Sequence, residues 1–499
     1  MPVVDEHTPG QSGWLAARVR HPWLSGVLAV LATLVIGDVV VSWTLGTPAR
    51  LWGVVPLSQM RLASFVALAI ALVCACWLSA RGWPRTRRAR TFLFAAFTLA
   101  LFMGNGHYIG SHDIAATRVL PFVLGREGRL SFEHTHQTLL TRDDYALTPA
   151  GPHLVSRYPV ASALLALPAY LPAIIGSYDP RRERVQELER IAAAGLSLVG
   201  VLVIFGIALR WLGERQAWFV AGIYAFGTNC ASVLSKALWQ HTGGAFGFAL
   251  ALAGMFLANS AWSSSLLVGG GLGVAVAARP TNVVPASFVM LAFAAMRGTR
   301  PCLRACAWAA APIAGQLGYA FYYFGSIFGS GYGSEAIDGW SSPWLEGIAG
   351  LIVSPGRGLL LYSPCLAFAA LALFEPESTG IDRRVSRFLG LAVVSLAVMM
   401  GKWWCWWGGG SPGERMTSDI TPLWGLGLVL AYRRFACRPR LRQLFIASCA
   451  YACACHALIT FGRPTAFVTS EFVHVLDGPW SPRAFAPIAY VIGAISSSN

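Results

Sequence analysis

TFLFAAFTLALFMGNGHYIGSHDIAATRVLPF, Thr91 to Phe122, opens on an apolar run that reads as a membrane helix over Thr91–Tyr108. At its end the chain sets down His107, His112, Asp113 and Arg118, then turns apolar again. A bilayer core about 30 Å thick needs roughly 20 apolar residues per helix. Such runs recur from Leu24 to the C-terminus, divided by short Arg-rich or Gly/Pro-rich breaks. The expectation is an all-α polytopic membrane protein spanned by helices, not a barrel.

Composition agrees. Of 499 residues, 55% are hydrophobic and 12% charged, and the mean hydropathy is +0.55, well away from the roughly 25% charged residues of soluble domains. The first run, Leu24 to Leu45, is too long for the apolar part of a leader and has no clear small-residue cleavage site, so it reads as an anchor, with Asp38 turned toward another helix. The net charge of +15 comes from arginines gathered at helix ends, which excludes a nucleic-acid partner in favour of the bilayer. Eleven cysteines lie mainly inside apolar runs without a C-x-x-C framework and read as small core residues.

The arginines also orient the chain. RGWPRTRRAR (Arg81 to Arg90) and RRFACRPRLR (Arg433 to Arg442) are the densest positive segments, hence cytoplasmic. With Leu24–Leu45, Leu62–Ala80 and Thr91–Tyr108 each crossing once from a cytoplasmic N-terminus, Asp113 lies outside. YPVASALLALPAYLPAIIG, Tyr158–Gly176, is broken by Pro159, Pro168 and Pro172. Counting it as a crossing would turn the arginine clusters outward, so it reads as an interfacial or re-entrant element. Further crossings at about 191–209, 217–235, 243–259, 264–279, 283–296, 305–324, 359–374, 388–404, 421–432 and 443–461 give about thirteen helices. The chain divides into residues 1–90, a helix pair and Arg-rich loop; 91–432, a membrane core; and 433–499, a last helix and an outer tail.

The outer loops collect the unusual residues. In order they carry SHDIAATRVLPF, VSRYPVASALLALPAYLP, LWQHT, ARPTN, SPGRGLLLYSP and WWGGGSPGERMTSDITP. This series, over roughly Thr91 to Pro422, resembles the bacterial GT-C class of integral membrane glycosyltransferases. The resemblance implies a helical membrane fold in the bacterial inner membrane, a polyprenyl-phosphate-sugar donor, a catalytic carboxylate in the first outer loop and sugar transfer on the periplasmic face. Helices before Thr91 are an addition to that arrangement. Many members carry two adjacent acids in the first loop, whereas here Asp113 follows a histidine.

Such a reaction displaces a lipid phosphate from an anomeric carbon by an acceptor hydroxyl, so it needs a base for the hydroxyl and a holder for the phosphate. Asp113, at the membrane edge, is the candidate base; the alternative is a loop acid paired with Arg118. Arginine holds phosphate through a planar fork, and Arg357 in SPGRG and Arg415 in GSPGERM both sit beside glycines; the alternative for each is snorkelling to lipid headgroups. Arg157 and Tyr158 of SRYP and His241 of LWQHTGG are further substrate-contact candidates. In KWWCWWGGG the tryptophans, Trp407 among them, cannot all share one helix face, and read either as an interfacial belt or as a groove wall for sugar or isoprenoid. Asp419 can bind sugar hydroxyls or pair with Arg415, four residues earlier; the pair is favoured. His107, His112, His134, His136 and His153 with Asp143 and Asp144 could supply ligands to a divalent metal, but their spacing is irregular and no cofactor is expected. The expected enzyme is an inverting hexosyl or pentosyl transferase acting on a glycan, lipid or protein acceptor. A flippase or transporter of lipid-linked glycan, or an O-antigen-type ligase or polymerase, is the alternative. No internal repeat of the transporter kind is present.

Overall fold

The computed structural model describes residues 27–33, 35–36, 62–81, 84–105, 109–133, 140, 144–176, 182–375, 381–411, 413–462 and 478–487. Asp38 with most of Leu24–Leu45, then His107, His134, His136, Asp143 and the residues from Arg463 to 477 lie outside them. Within the described residues the first long helices are α1 (Leu62–Arg81), α2 (Arg87–Met103) and α3 (Ala115–Glu127). An antiparallel hairpin follows, β1 (Leu147–Ala150) and β2 (His153–Ser156), then α4 (Ala161–Ile175), α5 (Arg182–Trp211), α6 (Glu214–Phe226), α7 (Gln240–Phe256), α8 (Ala261–Ala278), α9 (Val283–Arg297) and α10 (Thr299–Phe324). The C-terminal part holds α11 (Trp344–Val353), α12 (Cys365–Phe374), α13 (Arg383–Gly401), α14 (Thr421–Phe435) and α15 (Pro439–Phe461).

Each apolar segment read from Leu62 onward contains helix. Val185–Trp211, Ala261–Ala278, Arg383–Gly401 and Pro439–Phe461 are long and apolar enough to cross a membrane. The chain is a multi-pass helical membrane protein. In lipid, where apolar burial gives little drive, helices associate through close backbone approach at small residues. The VGGGLG stretch of α8 does this on two faces. Gly271 lies against Gly247 and Ala251 of α7, and Gly269 and Gly273 lie against Ala305 and Ala309 of α10. Helix starts are fixed by local caps: Thr86 accepts from Ala89 N before α2, Ser260 and Ser263 form a capping box at α8, and Asp382 accepts from Arg384 N and Val385 N at α13.

Hydrogen bonds sort the helix ends into two groups. Arg90 at the start of α2 pairs with Glu214 at the start of α6 at 2.7 Å. Arg210 at the end of α5 donates to Leu257 O beyond α7, and Arg434 at the end of α14 pairs with Glu375 beyond α12. This is the arginine-rich group. In the other, Arg190 of α5 donates to Met103 O at the end of α2, Lys236 donates to Phe102 O, and the residues after α8 bond those before α14. Tyr158 before α4 and Glu189 after it both belong to this second group.

Candidate active site

α2 ends at Met103, and the chain crosses to a single 3-10 turn, His112–Ile114, that runs directly into α3. That turn presents Asp113, whose Oδ2 accepts from Arg415 Nη1 at 2.8 Å. The Asp113 side chain is 18% exposed, and its Oδ1 is buried with no hydrogen-bond partner among the described residues. Arg118, the alternative partner, lies one helical turn further on and is turned inward to a buried pair with Glu189 at 2.8 Å.

Arg415 reaches Asp113 from a loop that few residue types could form. Gly408 and Gly409 have φ of 75° and 63°, the left-handed region in which a side chain is strained. The turn brings Gly408 O to within 2.5 Å of Arg415 Nη2. Its guanidinium carbon lies 4.3 Å from the centre of the Trp239 ring, a cation–π contact, and Nε is buried without a partner among the described residues. Arg357 serves the same loop from behind: Nε donates to Trp407 O at 2.7 Å, Nη2 to Gly409 O at 2.6 Å and Nη1 to Gly356 O at 2.8 Å. Its fork is thus spent on backbone carbonyls that would otherwise be unpaired. Trp407 joins through that carbonyl, while its ring packs edge-on against Trp404 and Trp406. The tryptophan run is not helical: α13 stops at Gly401, Trp406 is buried and Trp404 is 44% exposed.

The Asp419–Arg415 pair does not form. An i,i+4 pair needs an α-helix, but residues 418–420 are a 3-10 turn, which sends Asp419 away from Arg415 and toward α7. Its Oδ2 meets His241 Nδ1 at 2.7 Å and Arg279 Nη1 at 2.8 Å, and its Oδ1 accepts from Asn282 at 2.9 Å. Gly244 leaves the room for this: a Cβ there would overlap Asp419 Oδ1. Burial would push the Asp419 carboxyl up, but His241 and Arg279 hold it below the usual range. Arg279 also donates to Met416 O at 2.8 Å, so the network fixes the residue beside Arg415. His241 and Asp419 are both buried. Glu414, on the other side of Arg415, accepts from Thr417 N, Thr417 Oγ1 and Asn229 Nδ2. Burial pushes its carboxyl up to about 7, against the pull of those donors.

Arg157 and Tyr158 emerge from β2 beside this pair. Arg157 is ion-paired with Glu335 and stacked between Tyr145 and Tyr332, 4.4 and 5.7 Å from the ring centres. Glu335 also accepts from Trp404 Nε1 at 2.8 Å. The Tyr158 ring lies 5.4 Å from that of Tyr332. Burial, and after it the charge of Asp113, raises the Tyr158 phenol, keeping it a proton donor.

The sequence reading missed Glu335, Arg279, Asn282, Glu414 and Tyr332. ARPTN already carried a signal, since the arginine count puts it outside, where an arginine at the end of an apolar helix runs against the bias expected from that count. Glu335 carried none. Of the histidines and acids considered for a metal, His153 pairs with Glu133 at 2.6 Å and Asp144 accepts from Ala146 N. Among the described residues no group of three metal-capable side chains comes together.

No protein-family model matches the chain, and no curated protein does. Among solved structures the chain is similar to ArnT from Cupriavidus metallidurans bound to undecaprenyl phosphate, at 13% identity and a TM-score of 0.48, the match covering 82% of this chain and 76% of that one.

Proposed function

We propose that this chain is an inverting glycosyltransferase that moves a hexosyl or pentosyl group from a polyprenyl-phosphate sugar to an acceptor hydroxyl, on the outer face of the bacterial inner membrane. The observation that carries this reading is the Asp113–Arg415 pair, in which each partner keeps one buried polar atom unpaired. A carboxylate oxygen without a donor and a guanidinium nitrogen without an acceptor are what a hydroxyl and a phosphate would satisfy. The acceptor O–H gives its proton to Asp113 Oδ1 as its oxygen attacks the anomeric carbon from the face opposite the phosphate. The carbon–phosphate oxygen bond breaks with its electron pair, and polyprenyl phosphate leaves as an anion stabilised by Arg415. Arg357, His241, Asp419 and Trp407 act through the loop that aims Arg415, and Arg157 and Tyr158 border the acceptor side. No cofactor takes part. About thirteen crossings with a cytoplasmic N-terminus put the arginine-rich helix ends inside and the pair outside. The membrane-edge position favours a transferase over a transporter, which would need ionisable groups along a path open to both faces.

Asp113→Asn tests the base. It keeps size while removing basicity, so turnover of a polyprenyl-phosphate sugar should fall by about 10²–10⁴-fold with donor binding retained. A folded variant that turns over at the wild-type rate would remove Asp113 from the mechanism.

A further inference from the structure

A cleft of about 840 Å³ opens between the β1–β2 hairpin and the C-terminal half of α10. Its volume is that of a ligand site, and nothing in the reaction above uses it. Its lining is aromatic and polar: Tyr319, Tyr322 and Tyr323 of α10, the His153 ring packed 6.3 Å from Tyr322 and 5.4 Å from Tyr323, and Glu133 and Arg129. Gly315 and Gly318 have open space where a side chain would stand, so the α10 backbone forms the floor.

The arrangement of these groups is specific. Tyr323 lies edge-on to Tyr322 with ring centres 4.8 Å apart, and Tyr319 is 4.9 Å from Tyr323. Tyr322, at the rim, is 71% exposed. His153 holds Glu133 Oε1 at 2.6 Å, Ser131 hydrogen-bonds the same carboxylate, and the Tyr319 hydroxyl is turned to the Ser156 backbone. A membrane-facing groove would be lined by aliphatic side chains, whereas Leu130 and Pro152 are the aliphatic lining here. Aromatic faces for apolar C–H surfaces, beside a carboxylate, an imidazole and phenols for hydroxyls, match a saccharide.

We propose that this cleft is a saccharide-binding subsite that seats the glycan part of the acceptor. Its role as acceptor subsite rests on the transferase reading; its binding of saccharide does not. Continuity supports the connection: β2 ends at Ser156, the next two residues are Arg157 and Tyr158, and Gly331, just past α10, sits against the Arg157 backbone so closely that a Cβ would overlap it. A chain of sugars in the cleft is led by this stretch to Asp113.

The test is binding of the full chain, reconstituted in nanodiscs, to an array of bacterial cell-envelope saccharides. The wild type should retain at least one saccharide class, and Tyr322→Ala and Glu133→Gln should each reduce that retention at least tenfold with unfolding temperatures unchanged. No retention by the wild type, or equal retention by both variants, overturns the proposal. Turnover of polyprenyl-phosphate sugar by the same wild-type sample is a separate readout: retention without turnover defeats the transferase reading and leaves the subsite, and turnover without retention does the reverse.

Discussion

Arg415→Lys isolates what the guanidinium contributes beyond charge. In the structure Arg415 spends one terminal nitrogen on Asp113 at 2.8 Å and the other on Gly408 O at 2.5 Å, with its plane against Trp239 at 4.3 Å. An ammonium keeps the charge but can satisfy Asp113 and Gly408 together only by abandoning the ring, and it offers no fork to a phosphate. A hydrogen bond to a charged group is worth about 1.5–3 kcal/mol, and a desolvated cation–π contact up to about 2 kcal/mol. Losing one bond and part of the stacking in the transition state removes about 2–4 kcal/mol, a fall of roughly 30- to 1,000-fold in kcat/KM for the donor. The assay is initial-rate kinetics of purified protein against polyprenyl-phosphate sugar, with unfolding temperature measured in parallel. A well-folded Arg415→Lys variant within about threefold of wild type would refute the argument that the planar fork holds the phosphate.

Two further outcomes follow from the loop and from the helix ends. Glu414 is raised to about 7 from an ordinary 4.5, so the folded state holds its proton more tightly than the unfolded one. The resulting stability is complete below about pH 4.5 and is lost as pH rises through 7, on the order of 3 kcal/mol in all. Wild-type protein should therefore unfold at lower temperature at pH 8 than at pH 5, and Glu414→Gln should remove that difference; an equal drop in both proteins would contradict it. In a background without other cysteines, the exposed Cys437, between α14 and α15, should react with a membrane-impermeant maleimide only after cells are permeabilised, while Ser326→Cys beyond α10 should react in intact cells. The opposite pattern would reverse the orientation drawn from the arginines.

Much of the fold was legible because helix formation in a membrane is written in hydropathy. From Leu62 onward each apolar run holds a helix, since unpaired backbone in lipid leaves few alternatives. The β1–β2 hairpin was not read, although LTPAGPHLVS has a Gly-Pro turn, because its flanks are too short for a clear period-2 signal. At the site, residue types were legible and pairings were not. Asp113 and Arg415 were each singled out, yet they are 302 residues apart in the chain, and nothing local ties them. The misreading of Asp419 has a local cause: three residues of 3-10 geometry in place of α-helix rotate a side chain to another neighbour. Arg357 shows a different limit. Glycines beside an arginine suggest a ligand, and the structure adds that its guanidinium also holds the carbonyls of the protein's own loop.

The central claim is single displacement by an acceptor hydroxyl activated at Asp113, and the configuration of the product tests it most directly. With a polyprenyl-phosphate sugar of known anomeric configuration, NMR of the isolated product should show the opposite configuration at the transferred sugar, because one in-line displacement inverts the carbon. A product with the donor's own configuration would require a second nucleophile and would contradict the account.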